Sequence, residues 1–281
     1  MDEEFKHACL DIVRRALDED LKSTGDITTR AVLPEGRRAK GVILLREEGV
    51  VAGLPLASMT FRLLDPRVRF QSLVSDGERV SPASELAVVE GEASTILEGE
   101  RTALNFLQRL SGIATLTAAF VALAAPHGAA VLDTRKTTPG LRVLEKYAVR
   151  AGGGRNHRFG LYDGVIIKDN HIAAVGGVAE AVRRARENLD GGMSIEVEVQ
   201  DLADLEDAIS SGADVVMLDN LSVEEVEEAV RAAAGRVKLE VSGGINLENV
   251  AAYAATGVDY ISVGALTHSA RALDIALELE L

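Results

Sequence analysis

The chain has no tryptophan, a single cysteine and few aromatic residues, which make up 4% of its 281 residues. One cysteine, Cys9, excludes an internal disulfide and is typical of a reducing compartment. Cys9 lies at helical spacing among apolar residues, which favours a small core residue over a reactive thiol. The chain also lacks any run of five basic residues, and 30 Lys+Arg against 44 Asp+Glu give a net charge of −14. Phosphate backbones bind basic surfaces, so nucleic acid is not an expected partner.

Signals of membrane insertion are weak. The first 25 residues are acidic and amphipathic, without the apolar centre of a signal peptide. Residues 113–132 carry no charged side chain, but Pro126-His127-Gly128 interrupts them. A helix, a turn and a short strand explain this stretch better than a span of about 20 residues. We therefore expect a soluble, cytoplasmic protein with no membrane partner.

The first 110 residues show a mixed pattern. A helix is predicted over residues 3–17. Turn signals such as Asp76-Gly77 separate the short predicted strands, which cover residues 40–45, 50–53, 68–73 and 85–90. This order predicts a domain of helices on an antiparallel sheet. Residues 101–125 then indicate one or two long helices, with Ser111-Gly112 as a bend.

From residue 129 onward, apolar strands alternate with helical segments. The predicted strands cover residues 130–132, 164–167, 195–199, 215–218, 237–241 and 260–263. Ser222 and Glu225 form a capping-box signature at one helix start, and glycine follows three of the helices. The pattern shows six clear strands and leaves open whether there is a seventh. We therefore predict an α/β fold with an incomplete (β/α) barrel rather than a barrel of eight strands.

Polar or glycine residues follow each of these strands. In a (β/α) barrel the carboxyl ends of the strands face one mouth, where catalytic sites lie. The strand-end residues are Asp133-Thr134-Arg135-Lys136, Lys168-Asp169-Asn170-His171, Glu198, Asp219-Asn220, Ser242-Gly243-Gly244 and Gly264-Ala265. Repetition at one strand after another is a stronger signal than any single residue. The glycine turns after the last two strands are typical of a phosphate cradle, a feature that many unrelated barrels share.

Positive charge is concentrated in residues 131–171, which carry eight basic and four acidic residues in an otherwise acidic chain. Such an island indicates a small anionic ligand held at one place. Arg101, Arg135 and Arg158 offer planar forks for carboxylate or phosphate, and Lys136 adds a point charge. For each arginine alone, a surface ion pair is an equally good interpretation. Lys168 follows an apolar strand and is either an anion ligand or a Schiff-base lysine.

Histidine and acidic residues complete the candidate set. His157 follows three glycines, which permit close approach of the backbone to a ligand, and it is either a site residue or a structural loop histidine. No second histidine lies at metal-ligand spacing, so no zinc motif is present. Glu198 and Asp219 end successive strands and could hold Mg²⁺ through water, or ribose hydroxyls. Glu196 faces the same side of its strand as Glu198 and, if it points inward, lies deeper as a structural acid.

Together these residues resemble the quinolinate phosphoribosyltransferase family over nearly the whole chain. The strings at residues 134–140 (Thr-Arg-Lys-Thr-Thr-Pro-Gly) and 168–171 (Lys-Asp-Asn-His) are the specific ones. Further matching strings cover residues 25–29, 100–105, 111–115, 156–158, 196–198, 218–220 and 242–245. The resemblance implies an N-terminal α/β sandwich of residues 1–110, joined by a C-terminal helix at 270–281, and an incomplete α/β barrel of residues 111–269.

The resemblance also implies a reaction and a set of roles. Quinolinate and phosphoribosyl pyrophosphate, with Mg²⁺, would give nicotinate mononucleotide, CO₂ and pyrophosphate in NAD biosynthesis. Arg101 would reach the site from the partner subunit of a homodimer, with a higher oligomer such as a hexamer left open. The quinolinate pocket would be lined by Arg135, Lys136, His157, Arg158 and Lys168. Glu198 and Asp219 would face ribose and metal, and Ser242, Gly243, Gly244, Gly264 and Ala265 would hold the phosphate. Catalysis would fall to Lys136, Lys168, Glu198 and Asp219.

Three alternatives stay open at this point. A paralogue of the same fold, such as the molybdenum-associated relatives, would not bind quinolinate. A Schiff-base aldolase would form a borohydride-trapped adduct at Lys168. A phosphate- or nucleotide-binding regulatory barrel would bind without turnover and would not need acids on successive strand ends.

Overall fold

The computed structural model describes residues 3–189 and 192–280, apart from the side chain of Glu4. The elements in chain order are α1 (Glu3–Leu21), α2 (Ile27–Val32), β1 (Arg38–Leu45), β2 (Gly49–Val50), α3 (Leu54–Leu64), β3 (Arg69–Ser72), β4 (Arg79–Val80), β5 (Ser84–Glu92), α4 (Ala93–Ala124), β6 (Ala130–Leu132), α5 (Arg142–Ala151), β7 (Val165–Ile167), α6 (Asp169–Val175), α7 (Val178–Asn188), β8 (Ile195–Val199), α8 (Leu202–Ser210), β9 (Val215–Asp219), α9 (Val223–Ala233), β10 (Lys238–Ser242), α10 (Val250–Ala255), β11 (Tyr260–Ser262), α11 (Ala265–His268) and β12 (Ile275–Glu280). The predicted α/β class, with an N-terminal sheet domain and an incomplete barrel, is confirmed.

The described chain divides into two compact units. The first contains described residues of Met1–Ala118, Thr137–Gly153 and Ser269–Leu281, and the second contains Ala119–Lys136 with those of Gly154–His268. This division differs from a single boundary between residues 110 and 111, because the segment carrying α5 belongs to the first unit.

The main sheet of the first unit has the strand order β12-β1-β5-β3, with antiparallel pairs throughout its described residues. The helix predicted over residues 270–281 is wrong, because Ile275–Glu280 is a strand that pairs with β1 from Lys40 to Leu45. Ile275, Leu277 and Leu279 alternate with smaller or acidic residues, and an alternation of period two is the pattern of a half-buried strand. Leu281 lies outside the described residues.

Helix α4 supplies much of the core of the first unit. Leu104 and Leu107 are buried in its apolar cluster. Within the segment Ala93–His127, an 18-residue window has a mean hydropathy of 1.5, so the segment is long and apolar enough to cross a membrane by composition alone. Since its buried leucines pack inside a protein core, the segment fits the role of a core helix.

No bend forms at Ser111-Gly112, since α4 continues through both residues. The Ser111 hydroxyl instead accepts a hydrogen bond of 3.0 Å from the Ala52 backbone. A Cβ atom at Gly112 would overlap the carbonyl oxygen of Arg271, so only glycine permits this approach. The string at residues 111–115 therefore serves packing within the first unit.

The string at residues 25–29 is also structural. Asp26 is the N-cap of α2, and its carboxylate accepts hydrogen bonds from the backbone N–H groups of Thr28 (2.9 Å) and Thr29 (3.0 Å). These bonds satisfy helix donors that would otherwise lack partners. The hydroxyl and the backbone N–H of Thr29 lower the pKa of Asp26 because they stabilise its charged form.

The second unit is built on a parallel sheet with the strand order β6-β11-β10-β9-β8-β7. Its strands carry fully buried residues such as Val197, Val216 and Val241. Outside the named strands, Arg155 forms a parallel bridge with Leu132 at the β6 edge. Since all strands run in one direction, their carboxyl ends lie at one edge of the sheet, and this edge carries the candidate site.

Candidate active site

The register of the parallel sheet places the predicted strand-end residues side by side. Asp219 on β9 is level with Ser242 on β10, and Ser242 is level with Ser262 on β11. Glu198 on β8 is level with Met217, which lies two residues before Asp219. Residues two apart on a strand face the same side, so Glu198, Asp219 and Ser242 share one face of the sheet.

Lys168 and Glu198 form an ion pair at this edge. Lys168 Nζ lies 2.5 Å from Glu198 Oε2, and the Glu198 side chain is only 10% exposed. Lys168 is also the N-cap residue of α6, where its backbone N–H donates to His171 Nδ1 at 2.9 Å. Residues 168–171 therefore place the Lys168 cation at the start of α6, where the His171 side chain caps the helix.

The loops after β9 and β10 pack on each other. Asn220 adopts a left-handed backbone (φ +58°), donates from Nδ2 to Asp219 Oδ2 at 2.8 Å, and donates from its backbone N–H to the Ser242 carbonyl at 2.9 Å. Gly243 has φ +97°, and a Cβ atom there would overlap Asn220 Oδ1. The positive φ and the overlap with Asn220 both require glycine at position 243. Without a side chain there, the backbone of this loop is accessible beside Asp219.

The loops that follow β6 and β11 also meet. The Lys136 carbonyl accepts a hydrogen bond of 2.8 Å from the Thr267 hydroxyl. A Cβ atom at Gly264 would lie 3.1 Å from Lys136 Cδ, so the lysine stem passes directly over this glycine. The Lys136 side chain is exposed and follows the first barrel strand, yet it reaches the loop of the last one.

Asp133 ties the segment that carries His157 to the end of β6. The Asp133 side chain is fully buried. It accepts hydrogen bonds from Asn156 Nδ2 at 2.6 Å and from the His157 backbone N–H at 2.8 Å. A buried carboxylate with two such donors is a firm attachment for a segment without regular secondary structure.

His157 lies in the barrel interior against two acids. Its Nε2 is 3.0 Å from Glu196 Oε2 and 3.5 Å from Glu240 Oε2, and both acids are buried. Burial lowers the pKa of His157, but its hydrogen bonds to Glu196 and Glu240 and their charges outweigh burial and raise it to about 10. Burial raises the pKa of Glu196, an effect that the Glu240 charge reinforces. Among the described residues these three could also hold a metal ion, with ligand atoms within 4.8 Å of one another.

Arg158 faces the same interior. Its Nη1 donates to the Gly164 carbonyl at 2.9 Å, and its buried Nε has no hydrogen-bond partner within the described part of the chain. Burial lowers the pKa of Arg158, and the nearby positive charge of Arg135 lowers it further. Arg158 and Glu196 line a cavity of about 230 Å³. The Arg158 guanidinium therefore stands beside a space that a small anion could fill.

The predicted site residues divide between the two units. Arg101 lies on α4 in the first unit, where it lines a groove of about 470 Å³ together with Arg15 and Pro139. The others lie in the second unit, which contains Arg135, Lys136, His157, Arg158, Lys168, Glu198, Asp219, Ser242, Gly243, Gly244, Gly264 and Ala265. Sequence reasoning missed Glu240, although it alternates with Ser242 on β10 and the period of two could have revealed it.

The fold and this edge define a class of protein. It is an α/β protein with an incomplete parallel barrel whose strand ends combine cations, paired acids and glycine turns, which is an arrangement for binding a phosphorylated anionic substrate. The chain belongs to the quinolinate phosphoribosyl transferase family: the C-terminal domain of that family matches residues 113–278, and its N-terminal domain matches residues 26–111.

Individual relatives agree with this assignment. The chain is 46% identical over 279 residues to the nicotinate-nucleotide pyrophosphorylase (carboxylating) of Mycobacterium leprae, with 97% of each chain covered. It is 46% identical over 263 residues to a probable enzyme of the same name from Bacillus subtilis, covering 94% of this chain and 90% of that protein. The structure of nicotinate-nucleotide pyrophosphorylase from Francisella tularensis matches with a TM-score of 0.94 and 43% identity, over 98% of this chain and 96% of the other.

Proposed function

We propose that the protein transfers the phosphoribosyl group of phosphoribosyl pyrophosphate to quinolinate, with loss of CO₂, to give nicotinate mononucleotide and pyrophosphate in NAD biosynthesis. One observation supports this proposal: separate segments bring Lys136 and Lys168 to the strand ends of one barrel, and Arg158 lines a cavity in the same unit. A pyridine diacid and a polyphosphate both require such a concentration of cations in an acidic protein.

The quinolinate side of the site is assigned to the cations around the interior cavity. Quinolinate is a dianion, and planar guanidinium groups match carboxylates with two parallel hydrogen bonds. Arg158 lines the cavity and has a buried Nε without a hydrogen-bond partner in the described part of the chain, and the charge of Arg135 is close enough to lower the pKa of Arg158. Lys136, His157 and Lys168 complete the proposed pocket.

The phosphoribosyl side is assigned to the glycine loops. Residues 242–244 follow β10 with Gly243 and Gly244 both at positive φ, which exposes their backbone to a ligand. Gly264 and Ala265 follow β11 at the adjoining strand end. Lys136, which passes over Gly264, would steady the negative charge of the phosphates.

The residues present fit a magnesium ion. Glu198 and Asp219 bring carboxylate oxygens to one face of neighbouring strands, and hard oxygen donors with water are what Mg²⁺ prefers. The Asp219 carboxylate is oriented by Asn220 Nδ2 at 2.8 Å. Bound there through water, Mg²⁺ would supply positive charge to the leaving pyrophosphate.

The chemistry follows from the same side chains. Displacement at the anomeric carbon develops positive charge on the ribose, which the carboxylates of Glu198 and Asp219 would favour. The pyridine nitrogen forms the new bond and becomes a quaternary cation. The adjacent carboxylate then leaves as CO₂, and its bonding electrons stay on the ring carbon, where the neighbouring nitrogen cation stabilises them. A proton from water is added to that carbon to complete nicotinate mononucleotide, so no further cofactor is needed.

We also propose an oligomeric state and a cellular location for the protein. Arg101 belongs to the first unit and is 62% exposed, so it is available to another molecule. We assign it to the quinolinate pocket of a partner subunit, in a homodimer or a higher oligomer such as a hexamer. The single, buried cysteine agrees with a cytoplasmic location.

The experiment is incubation of the purified protein with quinolinate, phosphoribosyl pyrophosphate and Mg²⁺, followed by chromatographic detection of nicotinate mononucleotide. Nicotinate in place of quinolinate is the substrate control, and EDTA is the metal control. We expect product only with quinolinate and only before chelation. Binding without product would instead support the regulatory barrel.

A further inference from the structure

The segment of residues 152–164 carries His157 and Arg158 but contains little regular structure. Its backbone is tied to β6 only as far as Arg155, whose N–H donates to the Val131 carbonyl at 2.9 Å. Beyond that point Asp133 holds the His157 backbone from one side. Two consecutive residues of the proposed pocket therefore depend on side chains for their position.

The support on the other side comes from the barrel interior. The Ser262 hydroxyl of β11 donates to Glu240 of β10, and Glu240 and Glu196 of β8 converge on His157 Nε2. Glu240 is 1% exposed and Glu196 is 6% exposed. Burial of a carboxylate is unfavourable unless hydrogen bonds offset it, so an apolar pair would fill this space at lower free-energy cost.

The hydrogen bonds define the state of the imidazole ring. The Arg158 backbone N–H donates to His157 Nδ1 at 2.7 Å, which requires a lone pair on that nitrogen. The proton of the ring is then on Nε2, where it faces the two carboxylates. The two acids raise the pKa of the ring, and Nε2 holds a proton toward them in both the neutral and the protonated ring. A metal ion on Nε2 would displace that proton and need one on Nδ1 instead.

We propose that Glu196 and Glu240 are positioning residues for the quinolinate pocket. They accept the Nε2 proton of His157 and so fix the orientation of its ring. The contact between Nδ1 and the Arg158 N–H then fixes the backbone from which the Arg158 guanidinium reaches the cavity. The inference rests on the function proposed above. It depends on a continuous chain of hydrogen bonds that runs from Ser262 through Glu240 and His157 to Arg158. The guanidinium is then preorganised, and preorganisation lowers the cost of binding.

Kinetics of Glu196→Gln and Glu240→Gln test this role. At position 240 an amide cannot accept from both Ser262 and His157, and at position 196 it removes the negative charge that faces the ring, so each change disturbs the ring with little change in side-chain volume. We expect kcat/KM for quinolinate to fall by about tenfold to a hundredfold through KM, since small misplacement of a binding group has effects of that order. KM for phosphoribosyl pyrophosphate and the melting temperature should stay near those of the original chain. Glu206→Gln, which removes an exposed partner of Arg236, is the matched control.

The alternative outcomes are distinct. An unchanged quinolinate KM in both variants overturns the inference. So does a parallel rise in both KM values with a lower melting temperature, because that is the signature of general damage. If neither Gln variant folds, Ser262→Ala removes only the hydroxyl donor to Glu240, and a selective rise in quinolinate KM is still expected.

A second measurement does not depend on activity. Nitrogen-15 shifts of labelled histidine, assigned by His157→Gln, report which ring nitrogen carries the proton. We expect Nε2 to carry a proton throughout the pH range of activity, and Nδ1 to be the nitrogen that loses its proton when the ring titrates. A neutral ring with its proton on Nδ1 contradicts the inference. A proton on Nε2 in a protein that does not turn over quinolinate would overturn the proposed function and leave the positioning network in place.

Discussion

Lys168 Nζ and Glu198 Oε2 are 2.5 Å apart, although the two residues lie at the ends of different barrel strands. An ion-paired ammonium has no lone pair with which to attack a carbonyl carbon. The pairing therefore argues against the Schiff-base interpretation of Lys168. It also sets one cation and one acid side by side at the strand ends of the barrel.

Glu198→Gln tests the acid of this pair. The change keeps the volume but removes the negative charge that would stabilise the ribose cation in the transition state. We expect kcat to fall by about a hundredfold, the usual effect of deleting one preorganised electrostatic group. Steady-state turnover at saturating substrates measures this, with Glu206→Gln as the exposed control. A kcat within twofold of the original would contradict the assignment of Glu198.

Lys136→Ala and Arg158→Ala test the cations. Each removes a charge directed at the anionic substrates, while Lys136 is exposed and Arg158 only partly buried, so the fold should survive. We expect quinolinate turnover to be lost in both, with cooperative thermal unfolding retained. Arg231→Ala, on the surface of α9, is the control for losing one positive charge. Near-normal turnover in both variants would refute the pocket.

Gly243→Ala tests the phosphate cradle. The new Cβ atom would overlap Asn220 Oδ1 and would occupy a left-handed backbone. We expect KM for phosphoribosyl pyrophosphate to rise at least about tenfold, because the loop must shift. Gly212→Ala is the matched control, since it has a similar φ of +87° with open space around it, away from the strand ends. Equal effects of the two substitutions would assign the loss to backbone strain alone.

Cys9 should be unreactive in the folded protein. Its side chain is 1% exposed, and burial raises the pKa of the thiol to about 11. The thiolate is the reactive form, and at pH 8 it would be only about one part in a thousand. We expect Ellman's reagent to label Cys9 only after unfolding in guanidinium chloride, where the pKa returns to about 8.5. Rapid labelling of the native protein would contradict the burial of the Cys9 side chain on α1.

Strand ends were the part of the site that the sequence revealed best. A parallel sheet brings all its carboxyl ends to one edge, so Lys168, Glu198 and Asp219 could be predicted as neighbours from strand boundaries alone. The same rule predicted that Glu196 lies deeper on its strand, and the structure buries it. Their roles in catalysis and in metal binding remain predictions.

Other features depended on tertiary contacts, or on short alternations whose meaning only those contacts make clear. Glycine inside a helix suggested a bend at Gly112, but the glycine is there because the Arg271 carbonyl approaches the helix. The family resemblance implied a helix at residues 270–281, whereas the alternation from Ile275 to Glu280 indicates the strand that pairs with β1. Glu240 alternates with Ser242 on β10, but the role of an acid at that position becomes recognisable only when its contact with His157 is known.

The most direct test of the central claim follows the carboxylate itself. Quinolinate carrying ¹⁴C in its 2-carboxyl group is incubated with the protein, Mg²⁺ and phosphoribosyl pyrophosphate, and trapped ¹⁴CO₂ is compared with nicotinate mononucleotide. We predict equal amounts of the two products, and neither when phosphoribosyl pyrophosphate is omitted. Release of ¹⁴CO₂ without the mononucleotide, or no release in the complete mixture, would contradict the proposed reaction.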